Sequence, residues 1–175
     1  RRPGGKRANL RFAKVPGIYL GKRRLDEIDF SGAVLRLANL EGVNLCRASL
    51  SCADLTEANL AGAILNQADL RGARVKGANF DNAQMESTDF RQATIATMGK
   101  SNSWSVIGDN QSFASVSFAN CSLKGAKLNN ANLKDANFDG ALLNGASFKG
   151  AKLGNASFEG AVLIGVELSD LNIPR

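Results

Sequence analysis

Histidine is absent from the 175 residues, and cysteine occurs only three times, as Cys46, Cys52 and Cys121. Without an imidazole the commonest general base is missing, so Ser-His-Asp and Cys-His nucleophile arrangements are excluded within this chain. The cysteines are odd in number, none lies in CxxC spacing, and no histidine can complete a tetrahedral set. Zinc-type ligand sets are therefore excluded and a reducing compartment is implied. No catalytic residue, metal ligand or cofactor is expected, and the chain reads as not an enzyme. Long apolar runs are missing too: no stretch approaches the roughly 18 to 20 residues that a membrane-spanning helix needs, and no charged-then-apolar signal segment opens the chain. Aromatics other than phenylalanine are scarce, with one Trp and one Tyr against nine Phe. The absence of an initial Met, the chain starting Arg1-Arg2-Pro3-Gly4-Gly5-Lys6, fits a fragment of a longer protein.

What is present is an ordinary globular share of apolar and charged residues, 44% and 22%, with a net charge of +6. That charge is unevenly placed. Arg1, Arg2, Lys6, Arg7, Arg11, Lys14, Lys22, Arg23 and Arg24 all precede the first acid, Asp26, and from Asp26 onward thirteen basic residues face sixteen acidic ones. A basic lead segment therefore precedes a mildly acidic body, and the average isoelectric point describes neither.

The body is periodic. Ala-Asn-Leu at 38–40, Ala-Ser-Leu at 48–50, Ala-Asp-Leu at 53–55, Ala-Asn-Leu at 58–60 and Ala-Asp-Leu at 68–70 share a period of five. Taking the Leu/Phe position as the centre, centres recur from Phe30 to Ile95 and again from Phe113 to Ile173; all 27 are apolar, and 19 of the residues two before a centre are Ala. Eight of the nine Phe are centres. Five matches neither the two-residue alternation of a strand nor the 3.6-residue helical turn, so the chain must bend once per repeat. The centre and the residue two before it then point inward, Ala where space is tight and Leu or Phe in the middle. Gly recurs two after the centre, as at Gly62, Gly72 and Gly125, where a corner gains from a missing Cβ. Asn or Asp before the centre can bond nearby backbone and hold the turn.

The recurring A-(N/D)-L-x-x resembles the pentapeptide-repeat proteins over residues 28–95 and 111–173. The resemblance implies an all-β fold, a right-handed quadrilateral β-helix with four repeats per coil. Residues twenty apart would then stack: Phe118, Phe138 and Phe158 in one column, Leu123, Leu143 and Leu163 in another, and Phe30, Leu50, Leu70 and Phe90 in a third. About seven coils, roughly 30 to 35 Å long at the spacing between strands, are expected.

Between Ile95 and Phe113 the spacing is eighteen and the phase slips by three. The expected organisation is a basic cap or degenerate first coil at 1–27, a first repeat block at 28–97, a loop insertion at 98–110, and a second block with its C-terminal cap at 111–175. The insertion carries the only Trp, and Trp104 with Val106, Ile107 and Lys100 is a candidate partner-binding group, since loops on rigid scaffolds often carry recognition and Trp is favoured at interface hot spots. Arg7, Arg11, Arg23 and Arg24 in the basic segment are the other candidates. Placed in phase, Arg23 takes an inward position. Cys121 takes an inward Ala position and reads as a small buried hydrophobe, whereas Cys46 and Cys52 take outward positions.

A regular solenoid offers extended faces rather than clefts, so the expected function is a non-enzymatic protein–protein interaction scaffold. The resemblance extends this to the repeat domain of a larger protein or a bacterial effector, cytoplasmic or delivered into a host cell, as a monomer or an end-to-end dimer. Some family members mimic duplex DNA and bind type II topoisomerases such as gyrase, and some carry projecting loops. Against that alternative stands the weakly negative body, with Arg71 and Arg91 stacked one coil apart. Attachment to an anionic membrane surface through the basic segment is a further alternative. Nucleic acid is disfavoured as a partner, because only Phe12 and Tyr19 interleave the basic residues.

Overall fold

The computed structural model describes residues 8–94 and 115–167. Each five-residue repeat supplies one short extended side and one corner, and no described residue is helical. Four repeats return the chain to its starting side, so each side pairs in parallel with the one twenty residues later. The result is four ladders of seven residues each. Face A is Asn9, Asp29, Ser49, Asp69, Asp89, Lys127 and Ser147; face B is Lys14, Val34, Asp54, Arg74, Thr94, Asn132 and Lys152. Face C runs Tyr19, Asn39, Asn59, Asn79, Ser117, Asn137 and Ser157, and face D runs Arg24, Asn44, Ile64, Gln84, Ser122, Leu142 and Val162.

Why five residues suffice becomes clear from where each backbone N–H goes. In the repeat 38–42, Ala38 N–H closes the preceding turn on Leu35 O, Asn39 N–H reaches down to Ile18 O, and Leu40 and Gly42 reach up to Asn59 O and Ala61 O. The fifth donor, Glu41 N–H, faces outward and is taken by Asn39 Oδ1 at 3.1 Å. This last bond recurs at most sites where Asn or Asp precedes a centre, as in Asp29 to Ser31, Asp54 to Thr56 and Asn137 to Asp139. At two sites where Ser precedes the centre, an aspartate on the coil below supplies the acceptor: Asp81 Oδ1 receives both Ser117 Oγ and Ala119 N–H, and Asp139 Oδ1 receives Ser157 Oγ and Glu159 N–H. Every corner turns through a left-handed residue two after the centre. Glycine fills many of these positions, but fourteen non-glycine residues also adopt positive φ there, between 56° and 62°. The exception is the corner after Leu153, where Gly154 at φ 47° takes the left-handed conformation one residue early.

The inward positions behave as their sizes require. Leu35 to Leu70 at the centres and Ala33 to Ala73 two before them are buried to 1% exposure or less. Each buried Leu or Phe contributes on the order of 1.5 to 3 kcal/mol before entropy is subtracted. The expected phenylalanine column is present and longer than expected: Phe80, Phe118, Phe138 and Phe158 stack at centroid spacings of 5.1, 4.9 and 5.0 Å with nearly parallel rings. Phe90 and Phe148 meet this stack edge-on, an arrangement that suits ring quadrupoles.

Phe80 joins the column because the ladders cross the interruption. Asn79, Gln84, Asp89 and Thr94 pair with Ser117, Ser122, Lys127 and Asn132, 38 residues on instead of 20. Eighteen residues are thus interposed between face B at Thr94 and face C at Ser117, without a break in stacking or in register. Ile95, Phe113 and Ile173, the centres at the ends of the two expected blocks, lie outside the described residues, as does the expected loop at 98–110.

Candidate interaction surfaces

Side chains next to the centre and those at the corners form the outer surface, so each face has a chemistry set by every twentieth residue. On face A aspartates and arginines neutralise one another, with Lys127 and Lys149 exposed above them. Arg71 holds Asp69 at 2.8 Å and lies 4.0 Å from Asp89, Arg91 holds Asp89 at 2.6 Å, and Arg11 lies 3.8 Å from Asp29. Hydrogen bonds that the Arg71 guanidinium donates to the Asp69 carboxylate raise the Arg71 pKa. Asp89 feels an opposing desolvation, yet the Arg91 side-chain and backbone donors and the nearby guanidinium charges hold its carboxyl below the ordinary value. Asp29 is likewise lowered, first by the Ser31 hydroxyl and then by the Ser31 N–H.

Face B carries Lys14, Arg36, Arg74, Lys76, Lys134 and Lys152. Its one ladder carboxylate, Asp54, is buried and locked: it accepts Thr56 N–H, Thr56 Oγ1 at 2.6 Å and Arg74 at 2.6 Å. Glu57 and Asp135 sit on the corner between B and C. Face C is the opposite, with an Asn/Ser ladder beside Glu41, Asp81, Asp139 and Glu159. Face D is close to neutral and ends in Leu142 and Ile164, 37% and 71% exposed. The charge of the body is small because the cations of face B and the carboxylates of face C offset one another, while face D is close to neutral.

Of the sequence-derived candidates, Arg11, Arg23 and Arg24 are described and all three are exposed. Arg11 lies over the Phe12 ring, 5.4 Å from its centroid, and Arg24 lies 3.9 Å from Asp26. Arg23 takes the inward phase but escapes to water, because no described coil lies beneath it; directly above, Val43 is fully buried. These three do not converge on one spot. Arg7, Lys100, Trp104, Val106 and Ile107 lie outside the described residues. Cys121 is buried as expected; burial pushes its thiol up to about 12, and its Sγ donates to Phe80 O at 2.7 Å. Cys46 is half-buried and Cys52 exposed. Among the described residues no group of three or more His, Cys, Asp or Glu side chains could hold a metal ion, and no helix is long and apolar enough to cross a membrane.

Sequence reasoning missed the partition of charge among faces and the exposed hydrophobics Phe12, Leu37 and Tyr19, which are 67%, 60% and 69% exposed. Sorting the charged residues by position modulo twenty would have found the first. A large apolar residue two after a centre was the available signal for Phe12 and Leu37.

The family model of pentapeptide repeats matches residues 17–51 and 53–92 in eight copies, and that of a pentapeptide repeat region matches 111–175. No curated protein matches the chain significantly in sequence. Among solved structures, QnrB1, a plasmid-mediated fluoroquinolone resistance protein, superposes with a TM-score of 0.71 at 19% identity, covering 91% of this chain and 77% of its own. A pentapeptide-repeat protein from the Arabidopsis thaliana thylakoid lumen is 29% identical over 70% of this chain and 69% of that one, with a TM-score of 0.34. HetL, a pentapeptide-repeat protein involved in heterocyst differentiation regulation in the cyanobacterium Nostoc, is 22% identical over 91% and 90%, with a TM-score of 0.28. The superposition on QnrB1 bears on architecture, that of the quadrilateral β-helix. With repeat models covering most of its length and four ladders of stacked pentads to match, the chain belongs to the pentapeptide-repeat proteins.

Proposed function

We propose that the chain is a non-enzymatic protein–protein interaction scaffold, a repeat domain whose faces present fixed arrays of charge to a protein partner. The observation that carries this is the segregation of charge: carboxylates on face C and cations on face B, on one frame tied coil to coil by backbone hydrogen bonds. A surface held this firmly loses little freedom on binding. The segment around Trp104, with Lys100, Val106 and Ile107, is a second contact point in this reading. The setting is cytoplasmic, or a host cell if the protein is a delivered effector, with a monomer or an end-to-end dimer as the assembly. The test is capture of proteins from a source-cell lysate by three immobilised forms: the parent, a variant with Glu41→Lys and Glu159→Lys on face C, and a variant lacking residues 96–113. A partner lost with either variant places recognition on that surface. If no protein is held by the parent above an unrelated solenoid control, the scaffold reading fails.

One observation favours a second reading, that of a duplex-DNA mimic binding a type II topoisomerase. Arg71 and Arg91, which weigh against a phosphate-like surface in the sequence, sit on face A and are tied to Asp69 and Asp89. The carboxylates of face C form a separate row with Lys22 at its foot. Addition of the chain to a gyrase supercoiling reaction tests this: protection or inhibition that disappears with Glu41→Lys/Glu159→Lys supports it, and no effect at micromolar chain removes it.

A further inference from the structure

Two of the exposed hydrophobics stand where the fold disfavours them. Among the fourteen non-glycine residues with positive φ, Phe12 and Leu37 are the two large hydrophobics, at φ 56° and 59°. The left-handed region is costly for bulky side chains and is best filled by Gly, Asn or Asp, and at 67% and 60% exposure neither side chain recovers that cost by burial. Corner strain combined with exposed apolar area is a sign of function rather than of folding. Both residues flank the same face. Phe12 projects at the corner between A and B on the first level, its ring laid across Gly32, where a Cβ would come within 2.5 Å of it. Leu37 projects at the corner between B and C one level up.

Between these corners and along the rod, face B presents Lys14, Arg36, Lys134 and Lys152, all exposed. None of the four makes an ion pair with a described residue, in contrast to the arginines of face A. The ladder carboxylate among them, Asp54, is already engaged by Arg74, and Glu57 and Asp135 stand at the edge of the face, on the corner that Leu37 shares. The face is flat, being a parallel ladder without a groove, and seven levels make it roughly 30 Å long at the strand spacing. Face C, on the adjoining side, carries the carboxylates, so an anionic plane would be approached with B toward it and C standing off to the side.

We propose that face B docks on an anionic lipid bilayer, with Phe12 and Leu37 entering the interface and Lys14, Arg36, Lys134 and Lys152 lying over the head groups. Apolar side chains set among cations on a level surface are what bilayer interfaces retain. A nucleic acid would use the cations but has no place for Leu37, which offers no ring to stack on a base.

The test is flotation of the chain with vesicles of phosphatidylcholine alone and with added phosphatidylserine, at low and raised salt. The parent is expected to float only with phosphatidylserine vesicles and to be released by salt. Replacing Lys14, Arg36, Lys134 and Lys152 by Gln should weaken this about a hundredfold or more. The same number of changes elsewhere, Arg1, Arg2, Lys6 and Arg7→Gln, or the pair Lys22→Gln and Lys124→Gln, should leave most of it. Phe12→Asn/Leu37→Asn should lose about tenfold in binding while melting no lower than the parent, since Asn suits a left-handed corner; a purely structural role would lower the melting temperature instead. The proposal is overturned if the parent ignores phosphatidylserine, if only the lead-segment variant loses binding, or if the face B and control variants are affected alike. It is equally overturned if duplex DNA is held more tightly than vesicles and Phe12→Asn/Leu37→Asn changes neither.

Discussion

Removal of residues 96–113 should leave an uninterrupted solenoid. The ladders step from Thr94 to Ser117 with 22 residues between them, where an ordinary step has four. Excising those eighteen joins Ile95 to Ala114, so the chain reads Ala93-Thr94-Ile95 and then Ala114-Ser115-Val116-Ser117-Phe118. Ile95 and Phe118 become centres five apart, Val116 falls on the inward position, and Ser115 on the left-handed corner, which Ser87 already occupies at φ 56°. Shortening the connection from 22 to four residues reduces the loop-closure cost by about 1.5 kcal/mol. For a chain of this size that raises the melting temperature by roughly 3 to 6 °C. The assay is thermal and urea unfolding followed by circular dichroism, with the parent as reference. A deletion of one residue more serves as control, because it leaves three residues where a step needs four, pulls the second block out of register and should cost most of the cooperativity. The reasoning is refuted if the eighteen-residue deletion melts well below the parent or no better than the nineteen-residue one.

Three further predictions rest on single contacts. Asp81→Ala removes the acceptor shared by Ser117 Oγ and Ala119 N–H and should lower stability by about 1 to 2 kcal/mol in urea unfolding; adding Ser117→Asn should restore part of it, because Asn before a centre caps that N–H within its own repeat, as Asn137 does. Cys121, buried with its thiol pushed up to about 12, should resist alkylation at neutral pH until the chain unfolds, whereas exposed Cys52 labels at once; mass spectrometry of the labelled protein distinguishes them. Asp29 and Asp89 are held below their ordinary value of 3.8 in the folded chain. Their contribution to stability is therefore fully present above that value and is lost as the pH falls below it toward their folded values. Urea midpoints measured at a series of pH values should be level near neutrality and decline in acid, with a smaller decline in Asp89→Asn.

The sequence made the fold legible because one rule, an apolar centre every five residues with a small residue two before it, is local and repeats often enough to exclude accident. The turn chemistry was legible for the same reason: Asn or Asp before a centre caps the outward N–H within its own repeat. The caps from Asp81 and Asp139 were not visible, since they join residues 38 and 20 apart and depend on which repeats stack. The interruption marks the limit of phase as evidence. Phase fixes the inserted length only modulo five, and both thirteen and eighteen satisfy it. An insertion of thirteen would make Phe113 a centre on face C and move Phe118 to face D, above Met85; an insertion of eighteen leaves Phe118 on face C, above Phe80. The ring stack at 5.1 Å and the pairing of Asn79 with Ser117 select eighteen. The same modulus governs the surface: a charge is assigned to a face by its position modulo twenty, and across the interruption that assignment turns by one side for every five residues miscounted. Lys134 and Lys152 join Lys14 and Arg36 on face B only with eighteen, so the deletion variant that restores continuous pentads must also preserve binding to anionic vesicles, whereas a thirteen-residue deletion of 98–110, equally in phase, would turn those lysines a quarter-turn away and weaken it.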